Sequence, residues 1–434
     1  MNKNRQKLSV NSFFAGIGGF DLAFEQEGIQ TTFQCEVNEF CLSILSQHWP
    51  NVKQHTDIMQ LGPQDIPEAT IWCGGFPCQD VSVARGAKGR QGLKGKNSGL
   101  FYPYFELIKA KLPKVVLIEN VTGLLSSHNG QDFRVIIESL SSLGYTVCWR
   151  VMNSRFYGAP QSRPRVFICA SLSDPFLAIS VLYENKKGSQ VKGLRNAFMN
   201  VSKCDVTGAK VADISYCLAA TSGRHTGTDW SRTYVSYDSS VRRLTPTECE
   251  GVQGFPTDWT LPKEGRSFKD IDSDRYHALG NAVSVPVVRW IAKNLKDYYS
   301  INGEKTIKTK FSGNENFLFD IEENFNDFII SKARIQCLQD LHFDVNLTKD
   351  KLKWKSGGIV HNGYCLDINV SEAPSTPIQV KLINVIEKNE VDDKYYISAN
   401  AAEGILRRVT NQNRTLFAPL HNALIKLCNK KNVA

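Results

Sequence analysis

A proline–cysteine pair, Pro77-Cys78, stands at the point in residues 74–79 (GGFPCQ) where covalent chemistry is possible. The preceding run, 70–73 (TIWC), predicts a short buried strand, and the glycines and proline then turn the backbone out of the sheet at the strand's carboxyl end. A cysteine placed there is exposed to a ligand and is a candidate nucleophile. The alternative is a thiol packed in a turn, because free cysteine usually behaves as a small buried hydrophobe.

A carboxylate, Glu119, follows a second apolar run at 115–118 (VVLI). The unbroken branched residues predict a buried parallel strand that brings Glu119 to the same sheet edge as Cys78. A partly desolvated carboxyl group there would have a raised pKa and could donate a proton. A structural acid at a strand end is the alternative.

Two guanidinium groups, Arg163 and Arg165, lie two residues apart in 161–165 (QSRPR), so they project to one side of an extended segment. Arginine offers a fixed fork of donors to a carbonyl or a phosphate. Two ordinary surface arginines are the alternative reading.

A glycine-rich turn at 13–20 (FFAGIGGF) follows the strand-like residues 8–12 and precedes a helix with an apolar stripe. Such a turn lets the backbone approach a ligand closely. It lacks the third glycine of the dinucleotide fingerprint, which disfavours hydride transfer. Glu36, at the end of the strand-like 32–36, is placed to accept hydrogen bonds from both ribose hydroxyls of a nucleoside. Asp57, at the next turn, is a second carboxylate placed to bind the same nucleoside. A plain tight turn and solvated surface acids remain the alternatives.

A basic, glycine-rich stretch at 85–97 contains five basic residues, four glycines and no acid. It cannot build a core, and its charge spacing suits an arm that follows phosphates and closes over the active site. An ordinary mobile loop is the alternative. The candidate DNA-binding residues here are Arg85, Lys88, Arg90, Lys94 and Lys96.

Taken in their order along the chain, from about Ser12 to about Trp290, these segments resemble the DNA (cytosine-5)-methyltransferase family of bacterial or phage restriction-modification type. The resemblance implies an α/β fold: a doubly wound, Rossmann-like core dependent on S-adenosylmethionine, with a small target-recognition domain and a C-terminal extension. It also implies methyl transfer from S-adenosylmethionine to C5 of a flipped-out cytosine in a specific duplex sequence, through a covalent adduct between Cys78 and C6.

The resemblance also implies residue roles. Cys78 would attack C6, Glu119 would protonate N3, Arg165 would hold O2, and Arg163 would contact a neighbouring phosphate or the frame of the active site. Ser12 stands where many relatives carry an acid. The implied cofactor-binding residues are Phe14, Ala15, Gly16, Gly18, Gly19, Glu36, Val37, Asp57, Ile58, Pro77, Leu100, Asn281 and Ala282.

Four regions are expected: a catalytic and cofactor-binding core at 1–170, a target-recognition domain with its bracing segment at 171–260, a return segment at 261–300, and an extension at 301–434. The loop 221–232 mixes donors, glycines and an aromatic, and its Arg224 and Arg232 are candidate DNA contacts. Cys217-Leu218 occupies the place of a threonine–leucine pair common in the family. Thr245, Pro246 and Glu248 predict a helix start.

The resemblance stops near Ser300. Residues 306–316 are polar and linker-like, and the rest of the extension contains strand-like and helical pieces, including 403–408, and is long enough to fold alone. The sequence leaves its role open, as it does the DNA recognition sequence and the oligomeric state.

The chain of 434 residues has a net charge of +9, of which +7 lies in residues 1–300 because 301–434 contain 18 basic and 16 acidic residues. Duplex DNA is the expected partner of this basic part, and a restriction endonuclease acting on the same site is a candidate. Without a membrane segment, a signal sequence or a Cys-x-x-Cys pair, the chain is expected to be cytoplasmic, reduced and free of metal.

Two alternative functions stay open: a transfer-RNA cytosine-C5 methyltransferase, and a non-enzymatic DNA-binding relative, which should have lost Cys78, Glu119 or an arginine.

Overall fold

A ten-stranded sheet organises the molecule in the computed structural model, which describes residues 7–77, 98–184, 197–224, 229–263, 268, 270–302, 335–337 and 354–431. Its parallel half lies in the order β3-β2-β1-β4-β5. These strands are β1 Ser9–Phe13, β2 Gln30–Cys35, β3 Lys53–His55, β4 Ile71–Gly74 and β5 Val115–Val121. Strands β2 and β3 lie on one side of β1, whereas β4 and β5 lie on its other side. The strand order therefore changes direction between β1 and β4, and such a switch point opens a crevice at the carboxyl ends of the strands.

The other half of the sheet is antiparallel. Strand β7 (Pro164–Leu172) pairs with β5 and with β6 (Tyr145–Asn153). Beyond β6 lie three strands from the C-terminal region, in the order β13-β14-β12. They are β12 Ile335–Cys337, β13 Gly357–His361 and β14 Tyr364–Ile368. The C-terminal strands therefore extend the sheet of the core.

Helices cover both faces of the central sheet. Along β5, Val115 and Leu117 belong to one buried apolar cluster, whereas Val116 and Ile118 belong to the other, as the alternation of side chains along a strand requires. The first cluster contains residues of α1 Gly19–Gln26, α2 Glu39–His48, α5 Pro175–Leu182 and α8 Val285–Asn302. The second contains residues of α3 Phe101–Lys111 and α4 Gln131–Ser142.

A smaller antiparallel sheet lies in the predicted recognition domain, in the order β11-β10-β9-β8. Its strands have three residues each: β8 Val201–Lys203, β9 Lys210–Ala212, β10 Tyr234–Ser236 and β11 Val241–Arg243. So small a sheet buries little apolar surface by itself. Two C-terminal helices, α9 Ala399–Asn411 and α10 Ala418–Lys431, pack against it and complete its core.

The predicted helix start at Thr245 is confirmed. Helix α6 (Pro246–Gln253) begins with a capping box, in which Glu248 N donates to Thr245 Oγ1 at 3.1 Å and Thr245 N donates to Glu248 Oε2 at 2.9 Å. The same carboxylate accepts both Nη atoms of Arg242 at 2.8 Å, and both of these side chains are fully buried. Helix α7 (Ile271–Asn281) then leads the chain back to the core.

The expected fold class, a doubly wound α/β core with a small second domain, is confirmed. One local expectation differs: β5 runs past Ile118 to Val121, so Glu119 lies within the strand. The reason is antiparallel pairing with β7, which continues through Glu119 opposite Phe167 and Val121 opposite Arg165. The division into four regions remains a prediction. In the described ranges, none of the helices combines the length and apolar character that crossing a membrane would require.

Arg150 ties the C-terminal region to the core. This fully buried side chain on β6 donates to the carbonyl oxygens of Leu182 at 2.7 Å, Ser371 at 3.1 Å and Ala373 at 2.5 Å. A buried cation is tolerated only where its N–H groups are paired in this way. Residues 371–373 are therefore held to the central sheet by a charged hydrogen-bond donor.

We predict that Arg150→Met destabilises the protein, because three carbonyl oxygens, two of them in fully buried hydrogen bonds, lose a charged donor at about 1.5–3 kcal/mol each. Urea denaturation should show a loss of several kcal/mol. The matched control is Arg289→Ala, which removes an exposed pair with Glu27 and should cost at most about 1 kcal/mol. Equal effects of the two substitutions would contradict this account of Arg150.

Candidate active site

The candidate site lies where β1, β2, β4 and β5 end at one edge of the sheet. The turn after β1 contains two glycines with positive φ, Gly16 at 56° and Gly18 at 81°. A side chain at Gly18 would clash with the ring of Trp49, whereas the position of a Gly16 Cβ has no atom within 4 Å. Ala15 N donates to Cys35 O at 3.0 Å and holds the turn against β2. Backbone therefore lines an open cradle here, as the glycine pattern predicts.

Glu36 anchors this cradle. Its carboxylate accepts Gly16 N and Asn38 N, both at 2.8 Å. Burial raises the pKa of Glu36 above its ordinary value, although these backbone hydrogen bonds act in the opposite direction. The adjacent Val37 exposes 70% of its surface, whereas Glu36 is partly buried. An open cradle, an anchored carboxylate and an exposed apolar side chain fit a nucleoside ligand.

The other predicted cofactor residues differ in their burial and local contacts. Asp57 caps a short helical turn by accepting Met59 N at 2.9 Å, and Ile58 is buried beneath it. Phe14 and Leu100 pack partly exposed against the core, while Asn281 is exposed at the end of α7 and Ala282 is buried. Pro77 is the last described residue of its segment, and Gly19 begins α1.

Glu119 contacts the loop that leads to Cys78. A Cβ at Gly75 would lie 3.2 Å from Glu119 Oε2, and Asn120 Nδ2 donates to Phe76 O at 3.3 Å. The acid and this loop are thus adjacent at the ends of β5 and β4. Cys78 itself lies outside the described residues, as do Arg85, Lys88, Arg90, Lys94 and Lys96.

Arg165 and Glu119 form an ion pair. Arg165 Nε lies 3.2 Å from Glu119 Oε1, and both side chains are largely buried. Burial raises the pKa of Glu119, and the Arg165 and Arg163 guanidinium groups offset only part of that rise. The carboxyl group therefore keeps its proton to a higher pH than an exposed glutamate would, which suits a general acid.

Arg163 faces the protein frame. Only 2% exposed, it donates to the carbonyl oxygens of Leu218 at 2.9 Å, Gly280 at 3.0 Å and Ala282 at 2.8 Å. The resemblance implies that Arg163 contacts either a neighbouring DNA phosphate or the protein backbone around the active site. These distances support the contact with the protein backbone. A side chain at Gly280 would overlap the backbone of Ala219 and Ala220, so the return and recognition segments meet closely here.

Two residues near the arginines were absent from the predicted site. Gln161, fully buried, accepts Leu218 N at 2.8 Å and donates to Gln253 Oε1 at 3.0 Å. Cys217 is exposed, and its Sγ lies 3.4 Å from Arg163 Nη1. Desolvation alone would raise the pKa of this thiol, but the Arg163 and Arg165 guanidinium groups outweigh it, so the pKa lies below its ordinary value. The signal for both was proximity to a motif: Gln161 opens 161–165, and Cys217 belongs to the pair 217–218 that the resemblance assigns to the place of a threonine–leucine pair.

The predicted DNA contacts Arg224 and Arg232 lie in the loop 221–232, of which residues 225–228 are outside the described ranges. Arg224 is exposed and its Nη2 donates to Ser273 Oγ at 3.2 Å. Arg232 Nη2 donates to Thr221 Oγ1 at 2.9 Å and so closes the loop on itself. Among the described residues, no three His, Cys, Asp or Glu side chains are grouped as metal ligands.

Comparison with known proteins agrees with this geometry. The model of the C-5 cytosine-specific DNA methylase family matches residues 8–203 and 178–297. The chain is 33% identical over 317 residues to the type II methyltransferase M2.BsuMI of Bacillus subtilis, covering 66% of this chain and 75% of that protein. It is 30% identical over 318 residues to M.Bsp6I of a Bacillus species, covering 66% and 98%.

Among solved structures, a Spodoptera frugiperda DNMT2 mutant aligns with a TM-score of 0.50 at 18% identity, covering 67% of this chain and 99% of that one. This likeness concerns the fold alone. The family match extends over most of the chain and over both the cradle and the paired arginine and glutamate. The resemblance seen in the sequence is thereby confirmed, and the chain belongs to the C-5 cytosine-specific DNA methylase family.

Proposed function

We propose that this enzyme transfers a methyl group from S-adenosylmethionine to C5 of a cytosine in a specific duplex DNA sequence, with the base flipped out and Cys78 bound covalently to C6. The observation that carries the proposal is the buried pair of Glu119 and Arg165, 3.2 Å apart, beside the loop that leads to Cys78. An acid whose pKa is raised by burial and a fixed guanidinium fork match the N3 and O2 atoms on one edge of cytosine.

The cradle residues fit the methyl donor. Gly16 leaves room for close backbone approach, Glu36 presents a carboxylate for ribose hydroxyls, and exposed Val37 offers an apolar contact for adenine. In this assignment Asp57, which follows the next strand, faces the amino group of adenine. Asn281 and Ala282 contact the methionine part of the cofactor. S-adenosylmethionine supplies the electrophilic methyl group that C5 takes up.

In the proposed mechanism, the Cys78 thiolate adds its electron pair to C6 of the flipped cytosine. Glu119 donates a proton to N3 while Arg165 binds O2, so the ring accepts the added electrons and C5 becomes nucleophilic. After C5 has been methylated, transfer of the C5 proton to a water molecule restores the double bond and expels the Cys78 sulfur as thiolate, and N3 returns its proton to the Glu119 carboxylate. Arg163 takes no part in these steps and instead positions the strand that carries Arg165.

Duplex DNA is the proposed substrate. The basic stretch 85–97 suits phosphate contacts, and residues 171–241 are proposed to read the sequence through base edges. The relatives are named type II methyltransferases, which supports a restriction-modification setting with a cognate endonuclease as partner.

The direct test is transfer of labelled methyl groups to duplex DNA and to transfer RNA, followed by bisulfite sequencing of DNA from cells that express the protein. Methylated cytosines in one sequence context support the proposal. Label found only in RNA would establish the transfer-RNA alternative, and binding without any transfer would establish the non-enzymatic one.

We predict that Cys78→Ser abolishes turnover but leaves S-adenosylmethionine binding intact, because a hydroxyl near neutral pH is a far weaker nucleophile than a thiolate. Turnover is measured by label transfer and binding by calorimetry. Cys204→Ser, at a half-buried thiol beside β8, is the control and should remain active. Substantial methylation by the Cys78 variant would exclude the covalent route.

A second prediction concerns pH. Because burial raises the pKa of Glu119, the protonated form needed at N3 is complete below that raised pKa and is lost as pH rises through it. We expect kcat/KM of the wild type to fall on the alkaline side. In Glu119→Gln that fall should disappear and activity should drop about 10²–10⁴-fold. A variant that keeps the wild-type pH profile would show that another group supplies the proton.

A third prediction concerns the cradle. Glu36→Ala should weaken S-adenosylmethionine binding, because each hydrogen bond to a charged group contributes about 1.5–3 kcal/mol. Loss of the anchor on Gly16 N should add to the effect. Calorimetry measures the affinity, and Glu39→Ala, an exposed acid at the start of α2, is the matched control. Unchanged affinity in the Glu36 variant would remove Glu36 from the cofactor site.

A further inference from the structure

The C-terminal helices α9 and α10 share one apolar core with the recognition sheet. Ile405 and Val409 of α9 and Leu424 of α10 pack in the same buried cluster as Tyr234 and Val241 of the sheet. A sheet of three-residue strands needs such a cover to be stable. The extension therefore contributes structure to the predicted recognition domain, beyond the strands that it adds to the core.

One charged contact links α9 to the recognition loop. Arg408 Nε donates to Asp229 Oδ2 at 2.8 Å, and the Asp229 side chain is fully buried. Asp229 Oδ1 accepts the Tyr234 hydroxyl at 3.1 Å. A buried carboxylate of this kind requires its cationic partner, since removal of one member leaves an unpaired charge.

The helical pair makes a second contact with the same loop. The Arg414 guanidinium, just after α9, lies 4.4 Å from the ring centroid of Trp230. Trp230 follows Asp229 directly, and two residues later Arg232 N donates to Asp229 O at 3.2 Å. Contacts from the C-terminal extension therefore hold this stretch of the loop in position.

The loop held in this way adjoins the active site. A cavity of about 90 Å³ is lined by Ser231 and Arg232 from the loop and by Cys217 and Leu218 from the segment that contacts Arg163. A displaced loop would change the wall of this cavity and the donors that it presents.

We propose that Arg408 is a positioning residue for DNA sequence recognition: through Asp229 it fixes the loop that carries Trp230 and Arg232, so the C-terminal extension is a working part of the recognition domain. The inference rests on the proposed function, in which residues 171–241 read the DNA. It assigns Arg408 no contact with substrate. A competing role for the helical pair is phosphate binding, since its two helices and their connection, 399–431, contain six basic residues and one acid.

The experiment compares Arg408→Ala, Arg408→Lys and the control Arg407→Ala, which removes the same charge from an exposed neighbouring position. Methylation of the cognate duplex and of duplexes with one changed base pair is measured as kcat/KM, and S-adenosylmethionine affinity is measured in parallel. The wild type is assayed first on duplex DNA. If it methylates none, the proposed function fails irrespective of Arg408.

In Arg408→Ala, discrimination between cognate and changed duplexes should fall about tenfold or more, comparable with one lost base contact. The effect should lie in KM for the cognate DNA, with kcat and cofactor affinity preserved. Arg408→Lys should restore part of the discrimination, and Arg407→Ala should keep all of it. If Arg408→Ala does not fold, Arg408→Lys carries the test, because it keeps the charge but loses the guanidinium geometry and must lower discrimination.

Wild-type discrimination in both Arg408 variants would overturn the proposal. So would an equal loss of affinity for cognate and changed duplexes with a shallower salt dependence, which would assign Arg408 to phosphate binding. Loss of S-adenosylmethionine affinity along with discrimination would also overturn it, because Arg408 would then support the whole fold.

Discussion

The buried guanidinium of Arg163 is the contact on which the arrangement of the active site depends. A cation removed from water is costly unless its N–H groups are paired, and here the acceptors are the carbonyl oxygens of Leu218, Gly280 and Ala282. These acceptors come from the recognition segment and from the return segment, while Arg163 precedes β7 in the core. Burying this charge therefore requires three distant parts of the chain to meet at one place.

That meeting also sets the electrostatics of the Glu119–Arg165 pair. Arg165 lies two residues after Arg163 and reaches Glu119 on the neighbouring strand β5. Two cations beside a carboxyl group favour its ionised form, but burial favours the neutral form and has the larger effect on its pKa. The balance leaves a carboxyl group with a raised pKa close to a guanidinium group, a combination that an exposed position would not produce.

The sequence was sufficient for features that depend on local patterns. The buried strands, the glycine turn and the capping box at Thr245 follow from residue type and spacing, and the structure confirms them. The frame contacts of Arg163 could not be derived, because its partners are backbone carbonyls, which every residue possesses. The path of the extension could not be predicted from the sequence either. Strand β13 pairs with β6, in a register that sets Gly357 opposite Arg150, some 200 residues earlier in the chain. A pairing between such distant segments leaves no local sequence signal.

The extension joins the two sheets by a path that lies beyond the family match, which ends at residue 297. At one end, β13 pairs with β6, and Ile378 N donates to Phe156 O at 2.8 Å. A few residues later, Leu382 N donates to Asp213 O at 2.7 Å beside the recognition sheet, and Ile397 N donates to Val241 O at 2.9 Å. Rotation of the recognition sheet relative to the central sheet would have to break hydrogen bonds at one end of this path or the other. The extension thus makes the orientation of the small sheet, and not only its internal fold, dependent on residues beyond the family match.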